Sequence, residues 1–323
     1  MENVSGPVRA ASAASRDRMV SDVRRGLLSD QKWLPPTYFY DARGSALFER
    51  ITRTPEYYLT RAEHALLERE ADSIALAARP RSLAELGAGN AEKSRILIRA
   101  LRARGLCEVY VPVDVDRATL AETAASLREE FPELNVIPVV ADMRRELRIP
   151  PAAPRPLLCA FLGSTLGNFS AAESQLLLSR LRGEIGKDGW LLLGADLVKD
   201  AATIERAYND SEGLTAQFNL NVLSVLNREL GADFDLAAFE HRAIYEPRLR
   251  RIEMHLVSRA KQRVTIPLVG AIELAEGESI RTEISCKYDR ESLEEILRES
   301  GFALERWMTD DSRRFALVLA RQE

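Results

Sequence analysis

The segment Ser82-Leu83-Ala84-Glu85-Leu86-Gly87-Ala88-Gly89-Asn90-Ala91-Glu92-Lys93 joins an apolar run to an acid and two closely spaced glycines. This pattern predicts a strand, a tight turn and the start of a helix. Glycine has no Cβ, so the backbone can approach a ligand closely, and the first turn of a helix offers free N–H groups. The turn therefore predicts a nucleotide-type cofactor site, with an ordinary strand-to-helix turn of an α/β domain as the alternative.

Position 92 separates two kinds of cofactor. A dinucleotide fingerprint would have a third glycine there, but the chain has Glu92. A carboxylate at that place repels a pyrophosphate, which disfavours a nicotinamide dehydrogenase. S-Adenosylmethionine has no phosphate and carries a cationic sulfonium and an ammonium group, so the acids Glu85 and Glu92 suit it better.

Strand and helix patterns alternate around this turn. Thr60-Arg61-Ala62-Glu63 has the form of a capping box before a long amphipathic helix. Further strands are predicted over residues 109–115, 135–141, 156–162 and 190–194, with helices between them. The alternation predicts a right-handed parallel sheet with helices on both faces.

Polar residues follow two of these strands. Asp114 and Asp116 come at the end of the second strand, where an acid can accept hydrogen bonds from ribose hydroxyls. Either aspartate could instead begin the next helix. The small polar loop from Gly163 to Phe169 follows a buried strand, and ligands bind at that edge of open α/β sheets.

The rhythm changes after Asp200. A single helix is predicted from Ile204 to Leu230, followed by strand patterns over residues 252–258, 262–267 and 279–288. These elements form a β-rich insertion before a helix from Arg290 and two closing strands over residues 302–308 and 315–321. We therefore predict a cofactor domain over residues 62–198 and 287–323, a second domain over residues 16–61 and 199–286, and a frayed tail over residues 1–15.

Composition excludes several classes of function. The net charge of −4 disfavours nucleic acid as a partner. The three cysteines, Cys107, Cys159 and Cys286, lack metal-type spacing and are expected to be buried small hydrophobes, as in a reducing cytoplasm. No apolar run reaches the length of a membrane span and no signal segment opens the chain. We expect a cytoplasmic protein with no metal and no membrane partner.

Seven blocks of sequence, in order, give the chain a family resemblance: residues 39–45, 55–58, the turn at 85, and residues 163–168, 193–200, 227–230 and 281–287. From about residue 25 to its end, the chain resembles the L-histidine Nα-methyltransferases of ergothioneine biosynthesis. The resemblance implies an α/β fold, with a Rossmann-like class I S-adenosylmethionine-dependent methyltransferase domain. A second, α+β substrate-binding domain would form from the N-terminal segment and the insertion. The resemblance also implies transfer of three methyl groups to the α-amino group of L-histidine, giving hercynine.

The resemblance also implies roles for individual residues. Asn168 and Tyr208 would bind the substrate carboxylate, Tyr40 would stand beside the amine, and Glu283 and Ser285 would bind the imidazole. The same pocket would be lined by Phe48, Tyr57, Gly163 and Met254. The cofactor residues would be Glu85, Gly87, Gly89, Lys93, Asp114 and Asp142, with Met143 following Asp142 where the family pattern has Phe. The histidines His64, His241 and His255 match no catalytic position and are expected to be structural or exposed.

Two other functions remain open from sequence. The chain could be a methyltransferase of the same family that acts on the amine of another amino acid. It could also be a protein that binds S-adenosylmethionine as a sensor without catalysis, although the retained substrate-side residues disfavour this. In each case we expect a monomer that binds small molecules.

Overall fold

The computed structural model describes residues 13–145 and 147–323, so most of the tail predicted over residues 1–15 lies outside the described residues. The α-helices described are α1 (Ala13–Leu27), α2 (Ala42–Ile51), α3 (Tyr58–Ala78), α4 (Glu92–Arg102), α5 (Arg117–Glu130), α6 (Ala171–Ile185), α7 (Ala201–Tyr208), α8 (Leu214–Leu230) and α9 (Arg290–Glu299). The strands are β1 (Ser82–Leu86), β2 (Val109–Asp114), β3 (Asn135–Val136), β4 (Val139–Val140), β5 (Leu157–Phe161), β6 (Trp190–Asp196), β7 (Phe239–Glu246), β8 (Arg251–Ser258), β9 (Gln262–Ile266), β10 (Gly270–Leu274), β11 (Ser279–Cys286), β12 (Phe302–Thr309) and β13 (Phe315–Gln322).

The chain forms two compact units. The larger unit comprises Tyr57–Ile204, Tyr245–Ile252 and Ile284–Glu323. The smaller unit comprises the described residues up to Glu56, together with Glu205–Ile244 and Glu253–Glu283. Each unit is thus assembled from segments that are far apart in sequence.

The larger unit is built on one sheet with the strand order β12-β13-β6-β5-β1-β2-β3, and β4 also pairs with β2. Strands β1 to β6 run parallel, whereas β13 is antiparallel to both β6 and β12. All five residues of β1 and of β5 are buried, as expected for central strands covered on both faces. The predicted parallel sheet and the two predicted closing strands are confirmed, and the closing strands pair as an antiparallel hairpin.

The strand predicted over residues 135–141 is instead two short strands, β3 and β4. Both pair with β2, but Ile137 and Pro138 lie between them. Proline has no N–H to donate, so the ladder is interrupted there.

The smaller unit contains α1, α2, α8 and the hairpin formed by β9 and β10. Most residues of β7, β8 and β11 also belong to it, and these strands form a sheet in the order β11-β8-β7. Asn221 on α8 donates hydrogen bonds to the Phe39 carbonyl (3.2 Å) and to the Asp41 carboxylate (2.8 Å), which fixes the start of α2 against α8. Asp41 caps α2 by accepting from the Gly44 N–H.

The single helix predicted from Ile204 to Leu230 is wrong. The chain leaves the helix after Tyr208 and resumes it at Leu214, with Gly213 at a φ of 68°. The Asp210 carboxylate accepts the N–H groups of Leu214 (2.8 Å) and Thr215 (2.7 Å), so it caps the second helix from outside. Strands β7 and β10 were not predicted.

The cysteines, the histidines and the helix lengths were also the subject of predictions. Cys107 and Cys159 are buried, but Cys286 is only half-buried. His241 and His255 are half-buried and hydrogen-bonded, whereas His64 lies beside Glu68 at 3.6 Å on α3. In the described part of the chain, no helix combines the length and apolarity needed to cross a membrane.

Candidate active site

The glycine turn between β1 and α4 is braced by Asp114. Gly87 and Gly89 have φ values of 70° and 50°, a region that glycine enters at no steric cost. Asp114 Oδ2 accepts the Gly89 N–H at 2.9 Å, and its Oδ1 accepts the Asp116 N–H at 3.0 Å. Asp116 caps α5 by accepting from Ala118. Of the two aspartates considered from sequence, Asp116 is therefore the helix start and Asp114 belongs to the turn.

Glu85 lies at the end of β1 with only 2% of its surface exposed. The Tyr110 hydroxyl donates a hydrogen bond to its carboxyl group. Burial raises the pKa of Glu85 to about 7, although hydrogen bonding and the nearby Lys93 ammonium work against this. A contact between Glu85 and a cofactor remains a prediction.

Asp142 lies in the loop after β4, beside the glycine turn. Its carboxylate accepts the Arg144 N–H at 3.0 Å and pairs with Arg145 at 3.3 Å. The Met143 methyl group is 3.7 Å from the place that a Cβ on Gly87 would occupy. The structure thus brings Asp142 and Met143 close to the glycines, in the same unit as Lys93 and Asp114.

Glu63 connects the two predicted groups of site residues in the larger unit. It is fully buried on α3, pairs with the Lys93 ammonium, and accepts the Gly163 N–H at 2.7 and 2.9 Å. The Lys93 ammonium lies 3.2 Å from the place of a Cβ on Gly163. A Cβ on Gly194 would lie 1.9 Å from Glu63 Oε1, so the carboxylate fits only because position 194 is glycine.

The capping-box prediction for Thr60 and Glu63 is wrong. Helix α3 begins at Tyr58, and its N-cap Tyr57 makes no side-chain cap. Glu63 is on the buried face of this helix with Leu66 and Leu67. An acid on an apolar helix stripe was the sequence signal that could have revealed it.

The Gly163 loop begins in a left-handed conformation, with φ values of 74° at Gly163 and 55° at Ser164. A short 3₁₀ helix, Thr165–Asn168, follows. Arg144 donates to the Asn168 carbonyl at 2.7 Å. A Cβ on Gly167 would lie 3.3 Å from Ser285 Oγ. The loop that carries Asn168 therefore lies directly against the end of β11.

A buried charged cluster holds Ser285 in place. Asp196 is fully buried and contacts the ammonium groups of Lys287 (2.9 Å) and Lys199 (2.6 Å), while the Tyr58 hydroxyl donates to it at 2.8 Å. Lys287 also donates to Ser285 Oγ at 2.9 Å. Burial works to raise the pKa of Asp196, but the two lysines outweigh it and lower the pKa. Burial also lowers the pKa of Lys199 to about 8. Sequence reasoning did not identify this cluster.

In the smaller unit, the structure brings Tyr40 and Phe48 together. Their ring centroids are 5.9 Å apart, and Phe218 on α8 packs on both rings at 5.5 and 5.8 Å. Edge-on and tilted ring contacts of this kind are favourable. Tyr57 belongs to the larger unit, where it is buried.

The other predicted substrate residues of the smaller unit lie on three elements. Tyr208 ends α7 and is buried, Met254 is buried on β8, and Glu283 is half-buried on β11. Thr282, which precedes Glu283, has its hydroxyl 3.1 Å from the Met254 carbonyl. Within the described residues, no cluster of His, Cys, Asp or Glu could hold a metal ion.

The strand order, the antiparallel C-terminal hairpin and the glycine turn braced by the acid that ends β2 define the fold class of this protein. It has a Rossmann-like methyltransferase fold, whose ligand edge lies at the carboxyl ends of the parallel strands.

Comparisons with known proteins define the family. A family model described as "Histidine-specific methyltransferase, SAM-dependent" matches residues 19–322. The chain is 45% identical to the histidine N-alpha-methyltransferase of Mycobacterium tuberculosis (strain CDC 1551 / Oshkosh), over 93% of each chain. It is 43% identical to the histidine N-alpha-methyltransferase of Mycolicibacterium smegmatis, over 96% of this chain and 97% of the relative. Ergothioneine biosynthesis protein 1 of Neurospora crassa is 28% identical over 83% of this chain and 31% of the relative. The chain belongs to the histidine-specific, S-adenosylmethionine-dependent methyltransferase family.

Proposed function

We propose that this protein transfers three methyl groups from S-adenosylmethionine to the α-amino group of L-histidine and so produces hercynine, the first step of ergothioneine biosynthesis. The observation that carries the proposal is the 45% identity to a histidine N-alpha-methyltransferase over 93% of both chains. The Neurospora crassa relative, named for ergothioneine biosynthesis, supports the pathway.

The residues of the larger unit fit the methyl donor. Gly87 and Gly89 leave space beside the backbone, and Asp114 offers carboxylate oxygens at the end of β2 as acceptors for ribose hydroxyls. The Lys93 ammonium, which pairs with Glu63, would bind the donor's carboxylate. The donor supplies an electrophilic methyl group on a sulfonium, and no phosphate that Glu92 would repel.

Substrate orientation is the main contribution of the protein. Asn168 and Tyr208 would bind the carboxylate, and Glu283 and Ser285, which are two residues apart on β11, would bind the imidazole from one strand face. Holding both ends of histidine fixes its amine at one place, which lowers the entropic barrier to methyl transfer.

The chemical step needs a neutral amine. Its nitrogen lone pair forms a bond to the methyl carbon while the carbon–sulfur bond breaks, and the electron pair of that bond returns to sulfur. The substrate ammonium, and then the singly and doubly methylated ammonium, each lose a proton to solvent before the next transfer, since a pocket that desolvates an ammonium lowers its pKa. The third transfer gives a quaternary nitrogen that has no proton to lose. The face of Tyr40 would hold the increasingly methylated cation by cation–π attraction of about 0.5–2 kcal/mol.

Mass spectrometry of histidine incubated with the enzyme and S-adenosylmethionine tests the proposal. We expect trimethylated histidine, and we expect histidinamide to be a poor substrate because it lacks the carboxylate that Asn168 would bind. Tryptophan and phenylalanine serve as controls. Equal methylation of histidine and histidinamide would contradict the carboxylate assignment, and preference for another amino acid would contradict the substrate.

Substrate identity is tested at Glu283. Glu283→Ala should weaken histidine binding by about 1.5–3 kcal/mol, because the imidazole N–H loses a charged acceptor. Affinity for S-adenosylmethionine should barely change. Glu273→Ala, which removes an exposed strand glutamate of the same unit, is the matched control and should have no effect.

Replacing both Glu283 and Met254 by smaller residues should shift the substrate preference toward tryptophan, while activity on histidine falls. The measurement is kcat/KM for histidine, tryptophan and phenylalanine on the wild type and the double variant. Equal losses on all three would show that Glu283 serves folding or the chemical step.

A further inference from the structure

Asn219 on α8 joins three elements of the smaller unit by hydrogen bonds. Its side chain is fully buried. Its amide Nδ2 contacts His241 Nδ1 on β7 (2.9 Å) and the His255 carbonyl on β8 (3.0 Å). Its Oδ1 accepts from the Thr282 hydroxyl on β11 at 2.6 Å. One amide thus uses both N–H groups and its oxygen to connect β7, β8 and β11.

The direction of each hydrogen bond follows from groups that can only accept. The His255 carbonyl accepts only, so the Asn219 nitrogen must face it and the Asn219 oxygen must face Thr282. The second amide proton then points at His241 Nδ1, which must therefore be unprotonated. His241 is neutral and carries its proton on Nε2, where the Tyr208 carbonyl accepts it at 2.9 Å.

These contacts end on the main chain of the proposed substrate residues. Tyr208 is the last residue of α7, and helix-terminal carbonyls lack partners within their own helix. The next residue, Asn209, also bonds β7, through the Ala243 carbonyl at 3.0 Å and the Ala243 N–H at 3.2 Å. The end of α7 is therefore anchored to β7 at two places, by the His241 side chain and by the main chain of Ala243.

The other branch of the network fixes the relation of β8 to β11. The Thr282 hydroxyl lies between Asn219 Oδ1 and the Met254 carbonyl. Thr282 immediately precedes Glu283, so the backbone that carries the Glu283 carboxylate is held by the same amide. Burial lowers the pKa of His241, although its bond to the Tyr208 carbonyl works against this, and the neutral form that the network requires is favoured.

We propose that Asn219 and His241 are positioning residues that set the places of Tyr208, Met254 and Glu283, and so determine affinity for the substrate and not for the methyl donor. This inference rests on the proposed function for the roles of those three residues. The network itself lies wholly within the smaller unit and touches none of the proposed cofactor residues.

Four variants test the network. His241→Leu and Asn219→Leu remove its bonds, whereas His241→Gln keeps an acceptor and a donor on one amide. Asn227→Ala is the control, because Asn227 lies on the same helix and bonds only the main chain of Phe234 in the described structure, at 2.8 and 2.9 Å. The measurements are KM for histidine, KM for S-adenosylmethionine, kcat, and calorimetric affinity for S-adenosylhomocysteine.

We expect His241→Leu and Asn219→Leu to raise KM for histidine about tenfold or more, the effect of losing one or two buried hydrogen bonds. S-Adenosylhomocysteine affinity should stay within about twofold, and His241→Gln should recover most of the loss. If KM for histidine in His241→Leu equals that in Asn227→Ala, or if donor affinity falls in parallel, the inference is wrong.

Hydrogen exchange provides a readout that needs no substrate. In His241→Leu, the amides of residues 205–209 and 281–284 should exchange faster than in the wild type, and Asn227→Ala should leave them unchanged. Unchanged exchange in His241→Leu would overturn the inference even if the kinetic effects appeared. A wild type that does not methylate histidine would instead overturn the proposed function, and the exchange result would still decide whether the network positions these segments.

Discussion

Replacing Glu85 by glutamine should make the stability of this protein less sensitive to pH. The Glu85 carboxyl is 2% exposed beneath the glycine turn and accepts a hydrogen bond from the Tyr110 hydroxyl. Burial raises its pKa from 4.5 to about 7. Glutamine keeps a carbonyl oxygen for the Tyr110 hydroxyl but cannot ionise, so it removes the charge without removing the acceptor.

The magnitude follows from proton binding in the folded and unfolded states. A group whose pKa is raised on folding contributes stability that is complete below its unfolded pKa and is lost as pH rises through its folded pKa. For Glu85 that window runs from 4.5 to about 7. Each tenfold change in proton affinity is about 1.4 kcal/mol, so the loss across the window is about 3 kcal/mol.

Urea unfolding of the wild type and Glu85→Gln between about pH 4.5 and about pH 8 measures this loss. The free energy of unfolding of the variant should rise relative to the wild type by about 3 kcal/mol across that range. Tyr110→Phe is the control, because it keeps the ring and leaves the Glu85 carboxyl able to ionise. If the wild-type and Glu85→Gln curves run parallel with pH, Glu85 does not bind its proton more tightly in the folded protein.

Three further substitutions have defined expectations. Asp114→Ala should weaken S-adenosylmethionine binding by about 2 kcal/mol, roughly thirtyfold, since the ribose loses a charged acceptor. Calorimetry measures this affinity, and an unchanged affinity in a folded variant would show that another residue binds the ribose. Gly194→Ala places a Cβ 1.9 Å from the Glu63 carboxylate, so it should destabilise the fold by about 1–3 kcal/mol. Thermal unfolding measures the stability, and an unchanged stability would show that the Glu63 side chain can move. Lys287→Met leaves Asp196 buried with one ammonium fewer, and the free energy of unfolding in urea should fall by about 3 kcal/mol, whereas a loss below about 1 kcal/mol would show that this pair contributes little.

Local patterns in the sequence were sufficient to predict the architecture of the larger unit. Gly87 and Gly89 form the turn that their spacing indicates, and the buried apolar runs are the parallel strands. These predictions hold because strand period, helix period and glycine conformation depend on a few neighbouring residues. The same reasoning failed at Pro138, where a missing donor divides one predicted strand into two, and at Asp210, whose caps divide one predicted helix.

The resemblance assigned cofactor residues that the structure brings into one unit. It did not indicate which buried hydrogen bonds and ion pairs keep them in position. Glu63 read as half of a capping box, yet its carboxylate accepts the N–H of Gly163, which is 100 residues away in sequence. Lys287 and Asp196 pair across a similar distance in the same unit. A hydrogen-bond partner brought close only by the sheet leaves no local pattern in the sequence.

His241 shows most clearly what the sequence did not indicate. From sequence, His241 matched no catalytic position and was expected to be structural or exposed. The fold places it between Asn219 and the carbonyl of Tyr208. The sequence by itself determined the central parallel strands, the glycine turn and most helices of the larger unit, because backbone preference and apolar period are local. The tertiary structure decided which buried polar groups satisfy one another, because a group removed from water must find its partner wherever the chain brings one.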